Sequence, residues 1–474
     1  MKVAVIGGGI LGLTLSHRLS AMGHVVELIE AAPVLGGLAR AQDYGEFTWD
    51  RFYHVIAPQD RRLVSLLEEI GLGGELRWTA TGTGYFARGR FYSMSSNADL
   101  LRFPLLSILD KARLGASVLY ATRLADPMKL YRITAREWLI RICGRNAYDV
   151  FWQPLLRAKF GSLHQEVAAV FIWATLKRLY EARTRASNRE KLGYCSGGYR
   201  RVIERMVEVL TGRGVKLRLG EPVSAITTKG MAGVGEAGSD GRRRCEVVAG
   251  GPGSPPRSDV YDQVFFTAPT RLARKLVSAD LIGHVDRTAE TYPTGKAYLG
   301  VACLVLVLKR PLTPYYVLNI GDESVKLTGL IEMTNLVDAR TQTAGRSLVY
   351  LPQYADSDDP LLQEPDESLL GRFVGEGVRR LFPDFDEKDV VVRSIHRERY
   401  VQALPTVRHQ DRPVAGLPGL ETPFQVLNTS MLTCATLNND EVVGLANDFV
   451  RANREALSGG WGATPLAHTA RTAS

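Results

Sequence analysis

The chain has 474 residues but only five cysteines, and Cys143, Cys195, Cys245, Cys303 and Cys434 form no CxxC pair and show no regular spacing. Neither a disulfide framework nor a zinc knuckle is expected. No stretch reaches the roughly 18 consecutive apolar residues that a spanning helix needs. The opening run Val3 to Ile6 enters glycines too soon for a signal peptide, so a cytoplasmic location is expected. H-E-x-x-H is missing, and Ser196, within Cys195-Ser196-Gly197-Gly198, lacks the G-x-S-x-G surroundings of a hydrolase nucleophile. No metal site is predicted. No zinc finger, aromatic RNA-binding motif or basic zipper accompanies the net charge of +9, and no nucleic acid partner is expected.

What the sequence does contain suits a foldable enzyme. Hydrophobic residues make up 45% and charged residues 23%, and the length favours two interleaved domains over one core. The densest basic stretch, Lys177 to Arg205, carries nine Lys or Arg against three Glu. It reads either as a solvated face or as a site for an anionic partner.

The first fifty residues are the most informative. Lys2 to Ile6 is almost wholly apolar, as a parallel strand buried on both faces should be. It runs into Gly7-Gly8-Gly9-Ile10-Leu11-Gly12, a G-x-G-x-x-G spacing, followed by a helical pattern from Leu13 to Met22. A second apolar strand, Val25 to Ile29, ends at Glu30. Gly7 permits the tight turn, Gly9 leaves room for a pyrophosphate, and Gly12 lets helix and strand approach closely. Helix-start N–H groups would face the phosphates, and Glu30 would accept the adenosine ribose hydroxyls while repelling a 2′-phosphate. The order strand, glycines, helix, strand and acid predicts a dinucleotide site, with FAD and NAD both open.

After Glu30 the chain reads Ala31-Ala32-Pro33-Val34-Leu35-Gly36-Gly37-Leu38-Ala39-Arg40. This segment resembles the second glycine motif of the flavin-containing amine oxidase, protoporphyrinogen oxidase and phytoene desaturase-like superfamily. The resemblance implies a non-covalent FAD in a two-domain α/β fold: a Rossmann-like cofactor domain of the glutathione-reductase kind, and a substrate domain of mixed sheet plus helices. It assigns the FAD pyrophosphate to Gly7, Gly9 and Gly12, the ribose to Glu30, and the pyrophosphate and ribityl region to Gly36, Gly37 and Arg40. Leu38 stands where many amine oxidases have arginine, a departure that weighs against an amine substrate.

The resemblance extends along most of the chain. Cys195-Ser196-Gly197-Gly198-Tyr199 with Val202 to Leu210 resembles the return helix. Glu221 to Ile226, including Val223, resembles the strand pair beside the adenine, and Asp262 to Pro269 the return strand. Phe424 to Thr429, with Asn428 where relatives carry an acid, precedes a closing helix near Asn438-Asn439, whose start would face the flavin. Asn438 and Glu441 are spaced for a capping box. The expected cofactor domain is residues 1–60, 195–280 and 400–458, and the substrate domain 61–194 and 281–399. Asp99 to Tyr180 should be helical, and Tyr298 to Val307, Val325 to Glu332 and Ser347 to Leu351 strand-like. Residues 229–256 read as a hairpin with glycine-rich loops, and 459–474 as a flexible tail.

Catalytic candidates are few. By resemblance, Trp49-Asp50-Arg51-Phe52-Tyr53-His54 lies near the flavin ring: Asp50 and His54 would either orient the ring or meet a substrate, and His54 either moves a proton or simply packs. Tyr400, within Arg399 to Pro405, either walls a substrate slot or is buried support. Cys434 lies too close to Asn438 for the family's covalent attachment. The implied activity is oxidation or desaturation of an organic, apolar substrate, with an electron acceptor as second partner. The alternatives are a UDP-galactopyranose mutase-like isomerase drawing cations from Lys177 to Arg205, and a flavin-binding non-enzyme. Leu100 to Leu109, followed by Lys111 and Arg113, reads either as a peripheral membrane contact or as the packed floor of the substrate domain.

Overall fold

The structure is a computed structural model that describes residues 1–123, 126–181, 190–229, 243–253, 255–291, 298–407 and 417–458. The glycine-rich loop at 230–242 and the tail from 459 lie outside these residues. β1 (Lys2–Ile6), α1 (Ile10–Ala21) and β2 (Val25–Glu30) form the expected strand–helix–strand unit. Val3, Ala4, Val5, Leu28 and Ile29 are at most 1% exposed. Burial of the larger ones contributes about 1.5–3 kcal/mol each, which is why both strands lie inside the sheet. That sheet is parallel, in the order Phe424–Val426, Gln263–Phe266, β1, β2, Lys216–Leu219. It gathers segments from both ends and the middle of the sequence. A three-stranded antiparallel sheet of Val223–Lys229, Arg244–Ala249 and Arg257–Tyr261 flanks it in sequence.

The second domain is built on a seven-stranded mixed sheet, in the order Val390–Ala403, Tyr298–Leu308, Ser347–Asp356, Gly329–Glu332, Val317–Ile320, Thr83–Ala87, Arg90–Ser93. The Val390–Ala403 strand stays in this sheet past position 399, where the sequence suggested a return to the cofactor domain. Val325 closes a turn, its N–H donating to Asp322 O at 3.1 Å, and of the stretch from Val325 to Glu332 only Gly329–Glu332 is strand. All eleven residues of Tyr298–Leu308 are buried, because both faces are covered. Val301, Cys303 and Val305 meet Tyr44, Trp49 and Phe52, while Ala302, Leu304 and Leu306 meet Leu369, Phe373 and Val378. The helices Ile108–Arg123, Ala135–Cys143, Gln153–Phe160 and Ala169–Glu181 form a separate cap core around Trp138, Tyr148 and Phe171.

Two buried histidines predict an acid-sensitive fold. His17 on α1 is fully buried and His396 is 6% exposed against the edge of Phe52. Burial brings each down from 6.5 to about 4, and Arg51 and Arg40 push His396 further the same way. A depressed folded-state value means that the stability present above 6.5 is lost as pH falls towards 4. Denaturant midpoints should therefore drop across this window, and drop less steeply in the His17→Gln, His396→Gln double variant. Parallel slopes for the two proteins would exclude these groups as the cause.

Candidate functional site

The glycine turn is held from below. Gly7 has φ +109° and its N–H donates to Ile29 O at 2.9 Å, while Thr267 Oγ1 donates to Ile6 O at 2.9 Å. A Cβ on Gly12 would stand 1.9 Å from Gly7 O, so that glycine sets the approach of α1 to β1. The second glycine segment lies directly on the first. Gly36 N donates to Gly8 O at 2.8 Å, Gly36 and Gly37 have φ +113° and +55°, and a Cβ on Gly37 would come 3.2 Å from Gly9 Cα.

Gly9 differs from its neighbours. It begins α1 with φ −73° and ψ 178°, a conformation open to any residue, and a Cβ there would meet nothing within 4 Å. The protein itself gives no reason for glycine at this position; a ligand pressed against the backbone does. The cradle therefore fits a dinucleotide pyrophosphate at the helix start. Glu30 closes the adjacent side, its Oε2 accepting from Gly8 N at 2.6 Å and its Oε1 from Ala32 N at 2.8 Å. Gly8 was not singled out by the motif spacing. A side chain there would collide with Leu35 Cδ2 at 2.3 Å, a demand that only the run of three glycines hinted at.

Asp50 and His54 come together with Tyr199, the first turn of the return helix Gly198–Gly212. Asp50 is 2% exposed, and its Oδ1 accepts from Tyr199 N at 2.8 Å. His54 Nδ1 lies 3.0 Å from Phe52 O and 3.7 Å from Asp50 Oδ2, with its ring 5.1 Å from that of Tyr199. Burial raises the Asp50 carboxyl above its ordinary 3.8, against the opposing pull of His54 and the Tyr199 N–H. A raised carboxyl holds its proton more tightly when folded, so ionising it costs stability as pH climbs above 3.8. Asp50→Asn keeps an acceptor for Tyr199 N without that cost. Wild-type stability relative to Asp50→Asn should decline as pH rises, whereas Asp50→Ala should lose about 1–3 kcal/mol by orphaning the N–H. Denaturant unfolding over a pH series checks this, and a pH-independent difference between wild type and Asp50→Asn would count against it.

The other named residues are distributed around this centre. Arg40 turns to the substrate sheet, where Glu398 Oε1 accepts from Arg40 Nη2 at 3.4 Å and from Arg51 Nη1 at 2.8 Å. Sequence reading missed Arg51 and Glu398 as partners because they are 347 positions apart. Asn428 is 2% exposed and ties two strand ends together: its Nδ2 donates to Ala268 O and Thr270 Oγ1, both at 3.0 Å, and its Oδ1 accepts from Ser430 N at 3.0 Å. Asn438 caps the closing helix Asn439–Ala452 by accepting from Glu441 N at 3.0 Å. Only that half of the capping box forms, since Glu441 Oε2 accepts from Arg62 at 3.1 Å. Asn439 is the first residue of the helix. Val223 is half-buried at the start of its strand, beside a bulge. Tyr400 is half-buried, edge-on to Tyr298 with ring centres 5.5 Å apart. The Cys434 thiol packs 3.6 Å from Met128 Sδ, and burial pushes its pKa up, which disfavours the nucleophilic thiolate.

The basic stretch resolves largely into paired groups. Arg178 donates to Asp60 at 2.6 and 2.9 Å, Arg201 pairs with Glu75 at 2.9 Å, and Arg205 with Glu208 at 2.7 Å. Residues 182–189 of the stretch lie outside the described ones. Among the described residues, no helix is long and apolar enough to cross a membrane.

Comparison with known proteins agrees with this geometry. Residues 12–420 match the family described as flavin containing amine oxidoreductase. A zeta-carotene desaturase of Synechocystis is 28% identical over 253 residues, which is 48% of this chain and 51% of the relative, so the chain matches about half the length of that curated protein. Solved structures share the fold over nearly the full length. An oxidoreductase from Methanosarcina mazei is 19% identical with TM-score 0.70, covering 95% of this chain and 100% of that one. Putrescine oxidase bound to putrescine is 17% identical with TM-score 0.67, covering 95% and 98%. With two stacked glycine turns, an open Gly9 and a family match over most of its length, the chain belongs to the flavin-containing amine oxidoreductases and takes FAD without a covalent bond.

Proposed function

We propose that this protein oxidises or desaturates an organic, apolar substrate and passes the electrons to oxygen or another acceptor. The observation that carries the reading is Gly9, whose open space and ordinary backbone angles suit a bound dinucleotide. FAD, when bound, supplies the two-electron acceptor, taking a hydride at N5. Gly7, Gly9, Gly12, Gly36 and Gly37 would hold its pyrophosphate, Glu30 its ribose, and Arg40 its ribityl side. Asn428 would stand on the phosphate side, Val223 beside the adenine, and the helix start at Asn438 and Asn439 would favour negative charge beneath the ring. His54, braced by Phe52 O and facing Asp50, is placed to hold or move a proton at Nε2, and Tyr400 with Tyr298 would wall the substrate slot. Anaerobic mixing of the holoprotein with amines, porphyrinogens and isoprenoids should bleach the oxidised flavin band for at least one class. No bleaching by any of them would sink the reading. The redox-neutral isomerase reading is less favoured, because Arg178, Arg201 and Arg205 are already engaged by carboxylates.

A peripheral membrane contact belongs to the same proposal. Leu101, Ile108 and Leu109 are 68%, 85% and 58% exposed at the corner between two cap helices, near Arg102 and Lys111. Leu106 and Leu114 turn inward instead. The holoprotein should float with phosphatidylglycerol vesicles at low salt, more weakly with phosphatidylcholine, and lose flotation in a Leu101→Glu, Ile108→Glu, Leu109→Glu variant that retains FAD. Absence of wild-type flotation under every condition would reject the contact.

A further inference from the structure

Lys159 is the penultimate residue of the cap helix Gln153–Phe160. The end of that helix is fixed over the strand Ser347–Asp356 by Thr328, whose Oγ1 donates to Ala158 O at 2.7 Å and accepts from Tyr354 N at 3.4 Å. The Lys159 ammonium thereby lies 5.3 Å from the ring centre of Phe171 and 5.7 Å from that of Tyr354. Among the described residues it has no hydrogen bond and no ion pair. Burial alone brings it down to about 8. Ring faces return only part of the hydration that burial takes from an ammonium. A methionine would fill the same space without that cost.

Tyr354 OH and Tyr53 OH are 2.7 Å apart, and Tyr53 immediately precedes His54. Lys159, Tyr53 and Tyr354 are all half-buried, so each keeps part of its surface accessible. The phenol pair reaches the Asp50 backbone through Tyr350, whose ring meets that of Tyr53 edge-on and whose hydroxyl donates to Asp50 O. An ammonium over the ring of Tyr354, whose hydroxyl pairs with that of Tyr53, suits an anion carried on an apolar body.

We propose that Lys159, with the Tyr53–Tyr354 pair, is the anion-recognition site of the substrate chamber, taking a carboxylate or phosphate monoester borne on an apolar or aromatic body. This rests on the oxidoreductase reading for the identity of the chamber, but binding needs no turnover.

The test is calorimetric titration of the oxidised holoprotein with four matched probes: 3-phenylpropanoate, 3-phenylpropyl phosphate, 3-phenylpropanol and 3-phenylpropylamine. At least one anion should bind about tenfold or more tightly than the alcohol, with the amine weakest. Which anion wins identifies the headgroup. Lys159→Met should abolish the preference without lowering the unfolding temperature, and Lys159→Arg should keep it. Equal binding of anions and alcohol by wild type overturns the proposal, as does an unchanged preference in Lys159→Met. A uniform weakening of all four probes, with lost stability, assigns Lys159 to packing and also overturns it. If Lys159→Met fails to fold, the wild-type and Lys159→Arg titrations still decide. Flavin reduction by neutral substrates without any anion preference would sink this inference alone, whereas anion preference without reduction by any candidate would sink only the oxidoreductase reading.

Discussion

Gly12→Ala should prevent the chain from folding around FAD, while Gly9→Ala should leave the fold intact and weaken only the cofactor. At Gly12 the added methyl would stand 1.9 Å from Gly7 O and 3.1 Å from Gly7 C. Both atoms are backbone in a turn already locked by Thr267 and by Ile29 O. Relief requires α1 to lift from β1, at a cost of about 3 kcal/mol or more. At Gly9 the methyl meets nothing, and the backbone angles suit alanine. Lower freedom in the unfolded chain and a weaker N-cap oppose one another, so apo stability should stay within about 1 kcal/mol of wild type. The same methyl occupies the space in which a pyrophosphate would touch the backbone, and FAD affinity should fall about tenfold or more. Urea unfolding of the deflavinated chains and FAD titration by fluorescence quenching measure the two effects separately. Wild-type affinity in Gly9→Ala would move the pyrophosphate away from this turn.

Arg178→Met should cost about 3–5 kcal/mol, the loss expected when a buried carboxylate is stripped of its cation. The Asp60 side chain is 2% exposed and receives both guanidinium nitrogens, at 2.6 and 2.9 Å, together with Ala57 N at 2.7 Å. Arg178 belongs to the cap helix Ala169–Glu181, whereas Asp60 begins the helix Arg61–Glu69, which packs against the closing helix. The pair therefore joins the cap to the cofactor side. Adding Asp60→Asn to Arg178→Met should restore part of the loss, because the amide keeps an acceptor for Ala57 N and carries no charge. Arg178→Lys should recover less than the wild-type fork. Thermal unfolding of the three variants checks the order. A loss in Arg178→Met of well under about 1 kcal/mol would mean that the pair behaves as an exposed one.

Much of the cofactor side was legible because its signals are local. Gly7, Gly9, Gly12 and Glu30 act on neighbours within one strand–helix–strand unit, and Pro33 with Gly36 and Gly37 marks the second turn within the same forty residues. The cap was legible as helix but not as a site. Lys159 reads in sequence as one more cation in a helix, and its environment arises from Phe171, Thr328 and Tyr354, on three separate elements. Glu441 shows the reverse case. Its spacing from Asn438 promised a full capping box, yet Arg62 competes for its carboxylate from another helix.

The sequence by itself determined the strand–glycine–helix–strand–acid unit, because backbone sterics and buried apolar periodicity act between near neighbours, and the second glycine segment carried the resemblance to the family. Only the tertiary structure decided which distant side chains meet. The Arg40–Glu398–Arg51 cluster, the Asp50–Tyr199 cap and the position of Lys159 over Tyr354 depend on strand order and helix docking, which bring together side chains far apart along the chain. No local pattern encodes those pairings, since the burial and desolvation that give each charge its character exist only after the sheets and the cap have packed.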